Sequence, residues 1–384
     1  MVVLGLRLLH PRHRIDASCT DILTALAACI LAPAGRSDRH GNALVCLSVR
    51  SAFDLLLTAL ALREGDEILV SAVTHPDMVR IAKLHGLRPV PVDIDPWTMV
   101  PDPLALREAI RDRSRAILVA HLFGARVDLE ETAEVARQHG LLLVEDCAQS
   151  IEGPDDEGDA RADVSLFSFG FIKTATALGG ALAWVRNPHL AAAMGAVQEQ
   201  WPVQPRCEYA RRALTGLTVL ALSHPSAFGL VARSGRDPAD LVRSLPAADD
   251  QAFLRRVRRR PSAPLVRTLR RRLRRFPSER LRARAAAGEE LARALPAGLF
   301  LPAGGTARTT HWLFPALTDD PAALIEGLRR EGFDASQGAS QIEAVEPAPP
   351  CAAWLMAGIV FLPVYPEMPL SERQRLARVI RELV

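Results

Sequence analysis

The chain of 384 residues (41.8 kDa) is 49% hydrophobic and 24% charged, with a net charge of +3. That balance excludes wholesale disorder and a collagen-like or coiled-coil rod, and at about 150 residues per domain it predicts two or three domains. The six cysteines (Cys19, Cys29, Cys46, Cys147, Cys207, Cys351) include no C-x-x-C pair, which argues against a zinc site and a disulfide framework and fits a reducing cytosol.

In chain order, Met1 to His10 is a short apolar run broken by Arg7 and followed by Pro11, Arg12, His13 and Arg14. It is too short, with the wrong charge order, for a secretory signal. From about Asn42 to Val185 helical and strand patterns alternate. Helices are predicted over Ser51 to Arg63, His75 to His85, Pro103 to Arg113 and Leu129 to His139. Strands are predicted over Glu67 to Val70, Arg88 to Val92, Ala116 to Ala120, Leu141 to Val144, Val164 to Phe169 and Gly180 to Val185. Apolar strands without clean alternation, separated by helices, indicate a mostly parallel sheet covered on both faces, which binds ligands at the carboxyl ends of its strands.

After Asn187 the pattern is helical. Ala213 to Ala232 carries no Asp, Glu, Lys or Arg but has Ser223, His224, Pro225 and Ser226 at its centre. A buried helix pair bent at Pro225 is expected, with a helix lying on a membrane surface as the alternative. Arg255 to Arg284 holds 14 arginines broken by three prolines. From Thr309 the pattern becomes strand (His311 to Ala316), helix (Pro321 to Arg330), strand (Val360 to Pro363) and helix (Ser371 to Leu383). The expected division is a large α/β domain over 1–255, atypically helical and apolar at about 190–250. A small α+β domain over 256–384 follows, entered through an arginine-rich helical linker.

The chain contains two lysines, Lys83 and Lys173, against 45 arginines. A guanidinium stays protonated, whereas an amine can lose its proton and attack a carbonyl, so each lysine is worth inspecting. Lys83 falls inside a predicted helix and reads as a surface residue. Lys173 follows a strand end, in Ser168-Phe169-Gly170-Phe171-Ile172-Lys173, with Thr174 and Gly179-Gly180 after it. The strand before it ends in Leu142-Leu143-Val144-Glu145-Asp146-Cys147-Ala148-Gln149. An amine, a carboxylate and a hydroxyl at neighbouring strand ends match the needs of pyridoxal phosphate: an imine to the aldehyde, a partner for the pyridinium nitrogen, and a hydrogen bond to the phosphate. Ser48-Val49-Arg50-Ser51-Ala52, leading into a helix from Ser51, is the candidate phosphate cradle, with Arg50 adding a charge-assisted bond. Taken singly, Asp146 and Ser51 each also read as a helix N-cap, and Cys147 as a small buried residue.

Together these residues resemble the DegT/DnrJ/StrS family of sugar aminotransferases. Asp66-Glu67-Ile68-Leu69-Val70 with Thr74-His75, Pro91-Val92-Asp93-Ile94-Asp95-Pro96, and His121-Leu122-Phe123-Gly124 with Asp128 are similar to family segments. So are Glu145-Asp146-Cys147-Ala148-Gln149, Phe167-Ser168-Phe169 through Lys173 and Gly179-Gly180, and Leu362-Pro363-Val364-Tyr365-Pro366-Glu367-Met368. The resemblance implies a fold-type I transferase using pyridoxal 5'-phosphate. It assigns the imine and proton shuttle to Lys173, the ring nitrogen to Asp146, the phenolic oxygen to Gln149, and the phosphate to Ser168, Ser51, Ala52 and Arg50. His75 takes the place of the ring-stacking aromatic. It also implies a homodimer, glutamate as amino donor and a nucleotide-linked keto-sugar as acceptor.

Besides His75, the chain departs from the family pattern in four places. Arg50-Ser51 replaces Gly-Thr, Thr174 replaces an asparagine, and Gln337-Gly338-Ala339-Ser340 stands where a histidine-tyrosine pair is usual. The stretch by which a second subunit reaches the phosphate is not recognisable between Met194 and Asp250. The arginine-rich segment reads first as a solvated helical surface. Its alternatives are nucleic acid, an anionic membrane or a lipid-linked substrate, including a non-catalytic protein that keeps the fold.

Overall fold

A computed structural model describes residues 8–32, 39–234, 249–338 and 341–384. The N-terminal reading at Met1 to Arg7, and Ala339 and Ser340, lie outside the described residues.

The chain begins with α1 (Cys19–Leu31), closed at its start by a reciprocal bond between Ser18 and Asp21. Then follow β1 (Arg39–His40), β2 (Ala43–Cys46), α2 (Val49–Leu60), β3 (Glu67–Ser71), β4 (Val73–Thr74), α3 (Pro76–Leu84), β5 (Arg88–Val92), α4 (Pro103–Ala109), β6 (Ser114–Ala120), α5 (Glu130–His139), β7 (Leu142–Asp146), β8 (Val164–Ser168) and β9 (Ala181–Val185). One eight-stranded sheet has the order β1-β2-β9-β8-β7-β6-β3-β5. The pairings from β5 through β8 are parallel, and those of β8 with β9, β9 with β2 and β2 with β1 are antiparallel. Successive side chains on a strand serve opposite faces. Ile68, Val70, Leu118 and Val144 pack under α2 and α3, while Leu69, Ile117, Val119 and Leu143 pack under α4 and α5. The expected mostly parallel sheet, covered on both faces, is the one observed.

The second half contains α6 (Pro188–Glu199), α7 (Arg206–Leu222), α8 (Pro225–Arg233), α9 (Asp250–Val257), α10 (Ala263–Arg274), α11 (Ser278–Ala294), β10 (Phe314–Leu317), α12 (Pro321–Arg330), β11 (Glu343–Ala344), α13 (Pro350–Gly358), β12 (Ile359–Leu362) and α14 (Leu370–Leu383). β10 and β12 form an antiparallel pair whose core includes α11, α12 and α14 side chains. β11 instead pairs with β4 and so reaches the large domain.

Two expectations are corrected. The helix pair α7 and α8 bends by 92° at the break before Pro225, but it is only partly buried: Tyr209 and Ala213 are covered, whereas Leu214 is 55% and Leu230 72% exposed. Among the described residues no single helix is long and apolar enough to cross a membrane. The arginine-rich stretch is not one linker between domains divided at residue 255. Leu265, Val266, Leu269 and Leu273 of α10 pack with α1 and α7 in the large domain, whereas Ala287 and Leu291 of α11 pack in the small one. The break falls at Phe276-Pro277, where the apolar stripe changes partners. Nor is the stretch only a solvated face: Arg258 pairs with Asp54, Arg259 with Glu208, Arg271 and Arg272 with Asp21, and Arg280 with Glu367.

Candidate active site

The carboxyl ends of β6, β7 and β8 meet at one edge. Ala120 pairs with Asp146, and Asp146 with Leu166, two residues before Ser168. Because β2 runs antiparallel to β9, its last residue, Cys46, lies opposite Ala181, which also faces Ser168. The start of α2, Ser168 and Asp146 are thereby brought to the same edge. The loop after β8 carries Lys173, whose amide closes a turn onto the Gly170 carbonyl at 3.1 Å.

Lys173 is half-buried, and among the described residues no carboxylate lies within 4.0 Å of its Nζ. Nζ stands 3.9 Å from the centroid of the Trp312 ring. Burial lowers its pKa to about 8, against the pull of Asp146 and with a smaller push from Arg50. Asp146 is 8% exposed. Burial raises its carboxyl, while the charge of Lys173 works the other way. Its Oδ1 accepts the Ala148 amide at 2.9 Å. This is a two-residue turn with no helix after it, so the N-cap reading of Asp146 falls. Gln149 accepts the Phe123 amide through Oε1 at 2.8 Å, which leaves its amide nitrogen as its donor end.

At the phosphate side the helix starts earlier than expected. Ser48 is the N-cap of α2, and its hydroxyl accepts the Ser51 amide at 3.2 Å and lies 3.0 Å from the Ser51 hydroxyl. The Ala52 amide is spent on the Ser48 carbonyl at 2.9 Å. Ser51 and Ala52 are both fully covered. A helix start leaves its first amides without internal acceptors, so the donors left here are those of Val49 and Arg50. Arg50 is half-exposed and donates to Asp77 at 2.8 Å. His75 caps α3 through Nδ1, which accepts the Asp77 amide. Burial holds its pKa down at about 4, with Asp77 opposing and Arg50 and Lys173 adding. A neutral imidazole therefore stands within electrostatic reach of Lys173.

Behind β7, Glu145 points away from Asp146 into a closed network. Its carboxylate accepts from His121 Nε2 at 2.7 Å, Ser165 Oγ at 2.6 Å and the Asp159 amide at 2.6 Å, and pairs with Arg126 at 3.4 Å. Arg126 also binds Asp156 and contacts Cys147 Sγ at 2.9 Å. His121 accepts the Val127 amide at Nδ1, which fixes its tautomer. The carboxyl of Glu145 is held at about 2 despite burial. His121, Glu145 and Cys147 lie close enough to suggest a metal cluster, but their polar atoms already serve one another and Arg126.

The small domain supplies residues the sequence reading missed. Trp312 donates its indole N–H to the Ile172 carbonyl at 2.9 Å, and Arg284 donates to Thr174 Oγ1 at 3.0 Å. The segment bearing Trp312 lies tight against Gly124, at φ +92°, where a Cβ would strike the Trp312 amide and the Thr310 hydroxyl. Distances this long in sequence give no periodic signal.

Several solved structures share this architecture. PseC of Helicobacter pylori, described as an aminotransferase of pseudoaminic acid biosynthesis, superposes with a TM-score of 0.71 at 16% identity over 98% of this chain and 99% of that one. The fold is that of the fold-type I, pyridoxal phosphate-dependent sugar aminotransferases. Residues 38–208 match the model of the DegT/DnrJ/EryC1/StrS aminotransferase family. Among curated relatives, GDP-perosamine synthase of Caulobacter vibrioides is 32% identical over 161 residues, 41% of this chain and 43% of that protein. L-glutamine:2-deoxy-scyllo-inosose aminotransferase of Streptomyces kanamyceticus is 38% identical over 145 residues, 36% of this chain and 33% of that protein. The chain thus matches less than half the length of these relatives.

Proposed function

We propose that the protein is a pyridoxal phosphate-dependent aminotransferase that moves an amino group from glutamate to the ketone of a nucleotide-linked keto-sugar. The observation that carries this reading is the half-buried Lys173, without a paired carboxylate and with its pKa near 8, at a strand end beside Asp146. Its donor set fits the cofactor: an amine for the aldehyde, an acid for the ring nitrogen, and Ser168 with the first amides of α2 for the phosphate. Bound there, the cofactor would supply an electron sink for the carbon that loses its proton.

The chain's own residues do the rest. Lys173 would hold the cofactor, and its neutral Nζ would accept and return the proton at the carbon that loses it. Asp146 is costly to ionise alone in its buried position, and a cationic ring nitrogen opposite it favours the carboxylate. Gln149 offers its amide N–H to the phenolic oxygen. Trp312 closes one side of Nζ and excludes water from it. The names of the two curated relatives, a GDP-sugar synthase and a glutamine-dependent aminotransferase, support a sugar-like acceptor and an amino-acid donor. We place the protein in the cytoplasm as a homodimer, by the same family reading.

The test is an absorbance spectrum of the purified protein with added pyridoxal phosphate, before and after L-glutamate, with L-glutamine in parallel. A visible band that appears with the cofactor and is bleached by either amino acid is expected. No band at all, or a band that neither donor changes, would sink the reading.

A further inference from the structure

The helices α1 and α7 lie side by side and antiparallel. Arg206, at the start of α7, donates to the carbonyls of Cys29 and Ala32 at the end of α1, at 3.3 and 2.6 Å. Ser223, at the end of α7, accepts the Ile15 amide ahead of α1 at 3.1 Å. Each helix buries one side: Ile22, Ala25 and Ala28 on α1, and Tyr209, Ala213 and Gly216 on α7. The opposite rows recur at helical spacing and are exposed, Leu23, Ala27 and Ile30 on α1 and Leu214, Thr218 and Ala221 on α7. Leu23 is 53% and Ile30 82% exposed, and Leu31, at the end of α1, is 67% exposed. Adjacent aliphatic rows left open to water mark an interaction surface.

The unpaired charges beside these rows have one sign. Neither row contains an acid. Asp21, the one acid of α1, pairs with Arg271 at 2.6 Å and Arg272 at 2.8 Å. Glu208, the one acid of α7, pairs with Arg259 at 2.7 Å. Arg211 continues the outward row of α7 and is exposed. On α10, Arg267 and Arg274 stand one turn before and one turn after Arg271. They share the side of the helix that reaches α1, and both are exposed. Among the described residues no carboxylate pairs with Arg211, Arg267 or Arg274.

An anionic bilayer answers both features: its interface takes the aliphatic rows and its headgroups take the arginines. A second copy of the chain does not. A two-fold contact sets the patch against itself, arginine beside arginine with no acid to answer. The centres of protein interfaces are also enriched in aromatic residues, and neither row has one. The 92° bend before Pro225 interrupts the apolar run of α7 and α8, and the inner side of α7 is tied into the protein, so the surface lies on lipid rather than crossing it.

We propose that the outer face of α1 and α7 docks on an anionic lipid surface. Tyr209 and Arg212, on the inner side of α7, donate to the Ala177 and Leu178 carbonyls in the loop that follows Lys173, at 2.9 and 2.7 Å. Docking therefore holds that loop about 10 Å from lipid, one helix diameter. The proposal stands independently of the cofactor reading above.

The experiment floats the full-length protein with vesicles of phosphatidylcholine alone and of phosphatidylcholine with phosphatidylglycerol, at low and high salt. Flotation is expected with the anionic vesicles at low salt, reduced at high salt and absent with phosphatidylcholine alone. Ile30→Ser with Leu214→Ser should weaken vesicle binding about tenfold or more, and Arg211→Gln and Arg267→Gln about fivefold each. All four positions are exposed, so urea unfolding of the variants should match that of the natural protein. A binding loss that only follows a stability loss would overturn the proposal. So would no flotation of the natural protein, equal flotation with both kinds of vesicle, or variants that bind as well as the natural protein. A natural dimer that Ile30→Ser with Leu214→Ser splits into monomers would also overturn it, by assigning the face to a second copy.

Discussion

Glu145 and Asp146 are adjacent on β7 and present two opposite kinds of charge site. On the Glu145 side every charge has its partner: His121, Arg126, Asp156 and Ser165 close the network, and the carboxyl is held at about 2. On the Asp146 side the charges are left short. Asp146 is raised by burial and Lys173 is lowered to about 8. The same strand thus carries a satisfied support and an unsatisfied face. Buried charge left uncompensated costs stability, and its concentration on one face marks where a ligand completes the structure.

The sharpest way to break this contrast is to remove the amine. Lys173→Ala should abolish the visible band and lower turnover about 10²- to 10⁴-fold through lost proton transfer alone, while urea unfolding of the apoprotein stays unchanged or shifts up, because a desolvated amine has gone. A stability loss comparable to that of a core mutant would mean that Lys173 belongs to the satisfied side.

Glu145→Gln attacks the other face. It removes the acid from a buried pair and leaves Arg126 and His121 facing a neutral amide, so unfolding free energy should fall by about 3–5 kcal/mol. The pH dependence has a definite sign. The carboxyl is held below its ordinary value, so its contribution is present above about pH 4.5 and is lost as pH falls towards about 2. Denaturation curves at pH 7 and pH 3 check both: the gap between the natural protein and Glu145→Gln should narrow at the lower pH.

The sequence made this strand legible and left its surroundings partly hidden. Leu142-Leu143-Val144 reads as a buried parallel strand, and two carboxylates at its end stand on opposite faces by the period of two alone. Lys173 stood out because the chain otherwise uses arginine. Trp312 lies 139 residues from Lys173 and reaches it through domain packing. The division of the arginine-rich stretch was illegible because what the apolar stripes of α10 and α11 touch is set by long-range packing.

The amine's pH profile sharpens the unsatisfied side at an intermediate scale. With Nζ near 8, the rate of cofactor capture should climb about tenfold per unit up to about pH 8 and then level, since only the neutral amine attacks. Asp146 raises the pKa of Lys173, so Asp146→Asn should move the break to lower pH. A break at the ordinary lysine value near 10.5 would show that burial does not act on this amine.

The smallest effect separates the cap from the cradle. Ser48→Ala removes the side-chain acceptor of the Ser51 amide and should cost about 1 kcal/mol of stability, measured by urea unfolding without cofactor. If the first amides of α2 receive the phosphate, the cap's task is to hold that turn open at the correct angle, so cofactor affinity should fall with it. Ser48→Asp keeps an acceptor at the cap but sets a negative charge beside the phosphate. It should recover the stability and worsen the affinity, because a carboxylate suits a helix start and repels a dianion. Restoration of both together would mean that the phosphate lies elsewhere along this edge, and the unsatisfied face of β7 would need another occupant.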